Sequence, residues 1–165
     1  MTKILVTLTL LCASLSAQIP KSFAAPIGDK HHSSEEPAAP SFNPVLQWNA
    51  ILLAIVRTPG AQPATNHATR SFALMHAAIY DAVNAIARTH EPYLVRLTGV
   101  RRHASQEAAG AAAAHEVLLA LYPAFQTALD AELQQSLTQI PAGKERAEGI
   151  LIGQAVAERI LTLRK

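Results

Sequence analysis

Apolar residues recur at helical spacing along five segments of this chain, and proline or glycine separates most of them. The first segment is apolar around nearly its whole circumference, so we expect it to be central in the fold. Between the second and third segments, a short strand is possible but not favoured. The pattern predicts an all-α bundle of about five helices. The predicted helices cover residues 43–58, 65–88, 105–121, 123–140 and 144–164.

The second segment combines apolar residues with a few regularly spaced polar ones. His76, Tyr80 and Asn84 follow one another at intervals of four and lie along one stripe of a helix, while Arg70 and Asp81 lie along another. Because most of the remaining surface is apolar, this helix is expected to be buried. Buried polar groups need partners, so we predict a hydrogen-bonded structural role for these side chains, with a pocket lining as the alternative.

The third and fifth segments contain unusually small residues that allow another helix to approach closely. Residues 108–114 are alanine and glycine, and Gly149 and Gly153 lie four residues apart on one face of the last helix. His115 follows the alanine run, but no second histidine stands at a ligand spacing, so we interpret it as a buried structural residue. The predicted buried structural polar residues are therefore Arg70, His76, Tyr80, Asp81, Asn84 and His115.

Composition limits the chain to one domain with an aliphatic core. It has 165 residues, of which 50% are hydrophobic and only 5% aromatic. The formal net charge is +2, and Lys3 and Lys21 lie in the predicted leader, so the remainder is balanced at 12 basic and 12 acidic residues. Without a basic tract, nucleic-acid binding has no support in the sequence.

The N-terminus has the pattern of a secretory signal. Lys3 precedes a 12-residue, mostly apolar run at 4–15, and small residues follow it. We predict a signal peptide at 1–25 and an exported protein, with an uncleaved membrane anchor as the alternative. Cys12 is the single cysteine and lies in this run, so the mature chain would have no disulfide.

Residues 26–41 are predicted to be a flexible linker between the signal peptide and a helical domain at 42–165. The linker contains the adjacent pair His31 and His32. Because no third ligand type stands nearby, no metal site is predicted there.

The sequence R-x-x-x-L-M-H-A-A-x-Y-D-A-V-N-A-I at 70–86 resembles the signature helix in the N-terminal half of bacterial proteins related to the vanadium-dependent haloperoxidases. These proteins belong to the superfamily of type-2 phosphatidic acid phosphatases. The resemblance extends over 42–165, through Trp48-Asn49, residues 115–123 and residues 149–164. It implies an α-helical fold and either peroxide-dependent halide oxidation or phosphate ester hydrolysis.

In that family the vanadate or phosphate site lies in the C-terminal half. It contains a Lys, an Arg followed by Pro, a Ser-Gly-His segment, and a later Arg and His. This chain has no Arg-Pro and no Ser-Gly-His, so we assign no catalytic, cofactor-binding or metal residue. The resemblance implies an N-terminal scaffold that is inactive alone, with vanadate expected only if the C-terminal half is present. The last helix reaches Lys165 without a capping glycine, which suggests truncation.

The expected partner is that missing half, or a partner chain, on the apolar faces of the first and last helices, and self-association is also possible. Two alternatives stay open. The domain could be a self-contained, non-enzymatic helical module for binding or assembly. An enzyme complete in this chain would need a site that the sequence does not show, since it has, for example, no Glu-x-x-His pair of the kind found in di-iron bundles.

Overall fold

The computed structural model describes residues 43–61 and 67–164, which fold into five α-helices without a strand. The all-α prediction is thereby confirmed. The predicted signal peptide, the linker with His31 and His32, and the predicted start of the second helix lie outside the described residues. A single 3-10 turn at Pro123–Phe125 precedes the fourth helix. The α-helices are α1 (Pro44–Arg57), α2 (His67–Ala87), α3 (Gln106–Leu121), α4 (Gln126–Thr138) and α5 (Lys144–Leu163).

Local sequence sets the helix ends. The Asn43 side chain accepts hydrogen bonds from the amides of Val45 and Leu46, at 3.0 and 3.3 Å, and so caps α1. Ser105 caps α3 in the same way by accepting from the amide of Ala108 at 3.1 Å. Helix α2 ends at Ala87, and the next residue, Arg88, has a φ of 55° and occupies a left-handed position that glycine more often fills.

The centre of the bundle is α3. It packs against α1, α2, α4 and α5, and every residue from Ala108 to His115 is buried. The sequence had favoured the first helix for this position, and that expectation is wrong. Helix α1 lies at the edge, with Leu46 69% exposed. The alanines explain the difference, because small side chains let neighbours approach α3 from every side, whereas the bulky residues of α1 fill only its inner face.

The closest helix contact joins α3 and α5. A Cβ atom added at Gly149 would overlap the carbonyl oxygen of Ser105, and one added at Gly153 would overlap that of Ala109. The Gly153 position would also lie 2.8 Å from the amide nitrogen of Ala113. The two backbones therefore touch, and only glycine fits at these two positions of α5 without separating the helices.

The core is mainly aliphatic, and its buried aromatic side chains in the described residues are Trp48, which is fully buried, and Tyr122. No single helix in the described ranges is long and apolar enough to cross a membrane, although α3 and the segment Pro123–Thr138, bent by 119° from it, together meet the length and composition of a broken span. The largest fully buried apolar side chains come from all five helices: Trp48, Leu52, Ile55, Met75, Ile86, Val117, Leu118, Leu129, Val156 and Ile160.

Replacing Gly153 with alanine is expected to lower the free energy of unfolding by about 1–3 kcal/mol, because overpacking outweighs the roughly 1 kcal/mol that alanine gains in helix propensity. Gly110→Ala is the matched control, since its Cβ would meet Ile79 and Val83 at an ordinary 3.5 Å. That variant should be neutral or more stable by up to about 1 kcal/mol. Urea unfolding of the full chain measures both. Equal effects at the two positions would contradict the close contact.

Candidate functional site

The polar side chains of α2 fall into an exposed and a buried group. Asp81 is 1% exposed and Asn84 is buried, whereas His76 is half-buried and Arg70 and Tyr80 are exposed. The predicted burial of Arg70 and Tyr80 is therefore wrong. They lie on the face of α2 that also carries alanines, and alanine makes a helix look apolar on all sides although it tolerates exposure to water.

Asp81 attaches the segment that follows α2 to the helix. Its Oδ1 accepts from the amide of Tyr93 at 2.6 Å, and its Oδ2 accepts from the amides of Leu94 and Val95 at 2.8 Å each. Three backbone donors compensate for the burial of this carboxylate. The carboxylate thus fixes the backbone of residues 93–95 to α2.

Asn84 and Tyr80 extend the same attachment. The Asn84 side chain donates to the carbonyl oxygen of His90 at 2.7 Å and accepts from the His90 amide at 3.0 Å. The Tyr80 hydroxyl donates to the carbonyl oxygen of Glu91 at 2.9 Å. Together with Asp81, these side chains hold residues 90–95, part of the irregular connector (residues 88–104) between α2 and α3.

His76 has a different partner from the other members of its stripe. Its Nε2 lies 3.1 Å from Oδ1 of Asn49 on α1, and its ring stacks on Phe72. The stripe predicted from spacing therefore serves two contacts, one with α1 and one with the connector. The sequence carried no signal that identified Asn49 or the backbone of the connector as partners.

His115 is buried and links α3 to α4. Its Nε2 lies 2.8 Å from Oδ1 of Asp130, and its ring meets Trp48 edge-on at 6.1 Å between ring centroids. Its Nδ1 and the Nε1 of Trp48 have no hydrogen-bond partner among the described residues. Asp130 is itself an exposed residue of α4. The hydrophobic pattern gave no sign that its carboxylate reaches the buried histidine.

A groove runs along the outer face of α2. It consists of two adjoining cavities of about 520 and 530 Å³ that share Ala73, Ala77 and Tyr93. At one end Arg70 donates to the carbonyl oxygen of Arg164 at 2.8 Å. We call it the α2 groove, and its principal lining residues are Arg70, Ala73, Ala77, Tyr80, Tyr93 and Leu163.

These contacts give each of the polar residues predicted on α2 a structural partner. In residues 43–61 and 67–164, no group of three or more His, Cys, Asp or Glu side chains is placed to hold a metal ion. Comparison with family models, curated proteins and solved structures gave no match to this chain. The candidate functional features that the described residues offer are the α2 groove and the exposed apolar faces of α1 and α5.

Replacing Asn84 with leucine is expected to lower the free energy of unfolding by about 1–3 kcal/mol, because both backbone groups of His90 lose their partner. Thr89→Ala is the control within the connector. Thr89 is exposed, and its hydroxyl contacts only the His90 ring in the bonds described, so its loss should change stability by less than about 0.5 kcal/mol. Thermal unfolding monitored by circular dichroism measures both. A neutral Asn84→Leu would show that the attachment contributes nothing.

Proposed function

We propose that this domain is a non-catalytic helical scaffold of an exported protein related to the vanadium-dependent haloperoxidases and acid phosphatases, and that a further polypeptide part carrying the oxyanion site packs on it. The observation that carries the proposal is the exposure of large apolar side chains on the first and last helices. They are Val45 and Leu46 on α1, and Leu151 and Leu163 on α5.

The exposed side chains of α1 form part of a continuous outer face. Leu46, Ala50 and Leu53 recur at helical spacing, and Leu46 and Ala50 are exposed while Leu53 is half-buried. The helix has no acidic residue, and its one basic residue is Arg57 at the end. Complete burial of one leucine side chain stabilises a contact by about 1.5–3 kcal/mol, so a helix laid on this face would gain from excluding water.

Helix α5 offers a second apolar position at Leu151, which is 66% exposed. Its inner face is already used, since Gly149, Gly153 and Val156 are buried against the bundle. Leu151 therefore adds nothing to the core of the described domain. An unused leucine on each of two helices supports docking of additional polypeptide.

Scaffold and chemistry would then be divided between two parts. The resemblance places the cations that bind vanadate or phosphate, and the histidine that bonds or attacks it, in the docked part. Such a site needs several positive donors around a tetrahedral oxyanion. The residues of this chain would supply rigid support, and the bonds of Asp81, Asn84 and His115 fit that role because each fixes one element against another.

The apolar faces yield a test on the purified full chain. Leu46→Glu and Leu151→Glu should each reduce binding of an apolar fluorescent dye and any self-association, with no change in unfolding beyond about 0.5 kcal/mol, since both side chains are exposed. Gln126→Glu, at an exposed polar position on α4, adds the same charge and should change neither property. A monomer that binds no dye would contradict the proposal.

Sequencing of the gene beyond the codon for Lys165, in all three frames, tests the assignment to this family. The expected finding is an Arg-Pro pair, a Ser-Gly-His segment and a later Arg and His. When that part is produced together with this chain, vanadate-dependent bromide oxidation or phosphatase activity should appear that neither part shows alone. If the downstream sequence contains none of these elements, the family assignment fails.

A second candidate function is a self-contained helical module for binding or assembly. It is favoured by the hydrophobic core, which is one continuous cluster with buried residues from all five helices. This reading predicts a cooperative thermal transition for residues 42–165 alone. A gradual, non-cooperative melt with loss of near-UV signal would exclude it and would favour a domain that needs its docked part to fold.

A further inference from the structure

The α2 groove differs from the outer face of α1 in carrying aromatic side chains. Tyr93 is 62% exposed and Tyr80 41% exposed, and Leu163 closes the groove from the end of α5. These are three of the six large hydrophobic side chains exposed in the described residues. Exposed apolar groups gathered in one groove indicate an interaction site, and tyrosine is enriched at such sites because it combines a large apolar ring with a polar hydroxyl.

The shape of the groove suits a helix. It extends along α2 from Arg70 to Tyr80, which is about 15 Å or almost three helical turns. Its floor is formed by Ala73 and Ala77, and its walls by the aromatic and leucine side chains. No strand edge borders the groove among the described residues, so a partner has no sheet to which it could add a strand. An amphipathic helix that lies in the groove is the mode of binding that fits.

The charged residues at the two ends of the groove indicate which charge the bound helix carries. Arg70 and Arg164 stand at one end, and neither forms an ion pair with a carboxylate in the part of the chain that the structure describes. Glu91 at the other end is already paired with Arg96 at 2.6 Å. An occupant with an acidic residue beside the two arginines would complete the pairing, whereas a basic one would be repelled.

The nearby connector strengthens this preference. It carries Arg88, Arg96, Arg101 and Arg102 against one acidic residue, Glu91. Arg96 is paired with Glu91 and Arg101 with Glu148 of α5, while Arg88 and Arg102 form no ion pair in the part of the chain that the structure describes. The side of the domain formed by α2 and the connector is therefore cationic as well as apolar, and it attracts an acidic partner over a longer range.

A second copy of this chain does not fit the groove. Helix α1 has exposed leucine and valine but no acidic residue. Helix α4 has acidic residues, including Asp130, but exposes no large hydrophobic side chain. Helix α5 exposes both Leu151 and Glu158, but its other exposed large hydrophobic side chain, Leu163, already lines the groove, so its outer face offers a single leucine. None of the three helices combines a continuous apolar face with an acidic residue, as the groove requires.

We propose that the α2 groove binds an amphipathic helix of a partner polypeptide, with apolar side chains between Tyr80, Tyr93 and Leu163 and an acidic side chain beside Arg70 and Arg164. This inference goes beyond the scaffold function and does not rest on it. Leu163 is the one residue named for both surfaces, so the experiment uses other positions.

The probe is a displayed library of helical peptides of about 14 residues, or roughly 20 Å, selected on the immobilised full chain. Enriched peptides are expected to share apolar residues at positions i, i+3, i+4 and i+7 and an acidic residue near one end. Their affinity for the wild-type chain should fall as the NaCl concentration rises. No enrichment, or enrichment of basic peptides, would overturn the proposal.

Variants locate the binding site. Tyr93→Ala and Arg70→Glu should each weaken binding of the selected peptides by about tenfold or more. The Tyr93 side chain is exposed and its contact with Asp81 is made by the backbone, so Tyr93→Ala keeps the fold, which thermal unfolding verifies. Tyr80 is left unchanged because its hydroxyl holds the connector.

Two controls lie outside the groove. Leu46→Ala removes an exposed apolar side chain from α1, and Arg102→Glu reverses an exposed charge of the connector that does not line the groove. Both should bind the peptides within about twofold of wild type. Equal binding to Tyr93→Ala and wild type would overturn the proposal. So would a dimer in sedimentation that Tyr93→Ala dissociates, because the occupant would then be a second copy.

Discussion

The contact between the backbones of α3 and α5 determines the layout of the whole bundle. It depends on glycine in one helix and alanine in the other, since a single added methyl group at Gly153 would meet the carbonyl oxygen of Ala109. Because the side chains of α3 are small, four helices pack around it, and α2 can contact both α3 and α5. The direction in which α2 presents its polar residues follows from this arrangement.

A second constraint follows from the first. Once α2 is seated, Asp81 and Asn84 lie where the chain leaves the helix, and they replace regular secondary structure as the means of fixing the connector. The Tyr93 ring is exposed, but its own amide donates to Asp81 at 2.6 Å. Tyr93, which forms one wall of the groove, is thus held in place by Asp81, a carboxylate that is only 1% exposed. The groove therefore has a defined shape without a bound partner.

The sequence predicted the number and type of the helices well, because proline, glycine and capping residues act locally. Asn43-Pro44 and Ser105 start their helices where the pattern had placed them. Position within the bundle was harder to predict. Both α1 and α3 are apolar on nearly all sides, and which of the two lies at the centre of the bundle depended on the volume of their side chains. Arg70 and Tyr80 were placed inside for a related reason, since the alanines beside them are compatible with either environment.

The spacing of residues in the sequence could not predict the hydrogen-bond partners of the polar side chains, and the reason is a different one. Asp130 pairs with His115 from 15 residues away, and Asn49 pairs with His76 from a different helix, so the pairings depend on the packing of the helices and not on spacing within one of them. Asp81 accepts hydrogen bonds from backbone amides, which every residue except proline has, so the residue types do not indicate which amides are the donors. Spacing could predict that these residues need partners, and only the fold shows which.

The same bonds decide where function is to be sought in this domain. Helix α2 carries His76, Asp81 and Asn84, which are residue types that often take part in chemistry. Asp81 and Asn84, however, are saturated by the connector, and His76 contacts Asn49. A protein that needs these side chains for its fold would retain the same pattern whether its chemistry lies in this domain or in a docked part. The pattern therefore predicts structural contacts better than it predicts a reaction. Exposed side chains such as Leu46 and Tyr93 contribute little to the core, and they form the surfaces on which the proposed partners would bind.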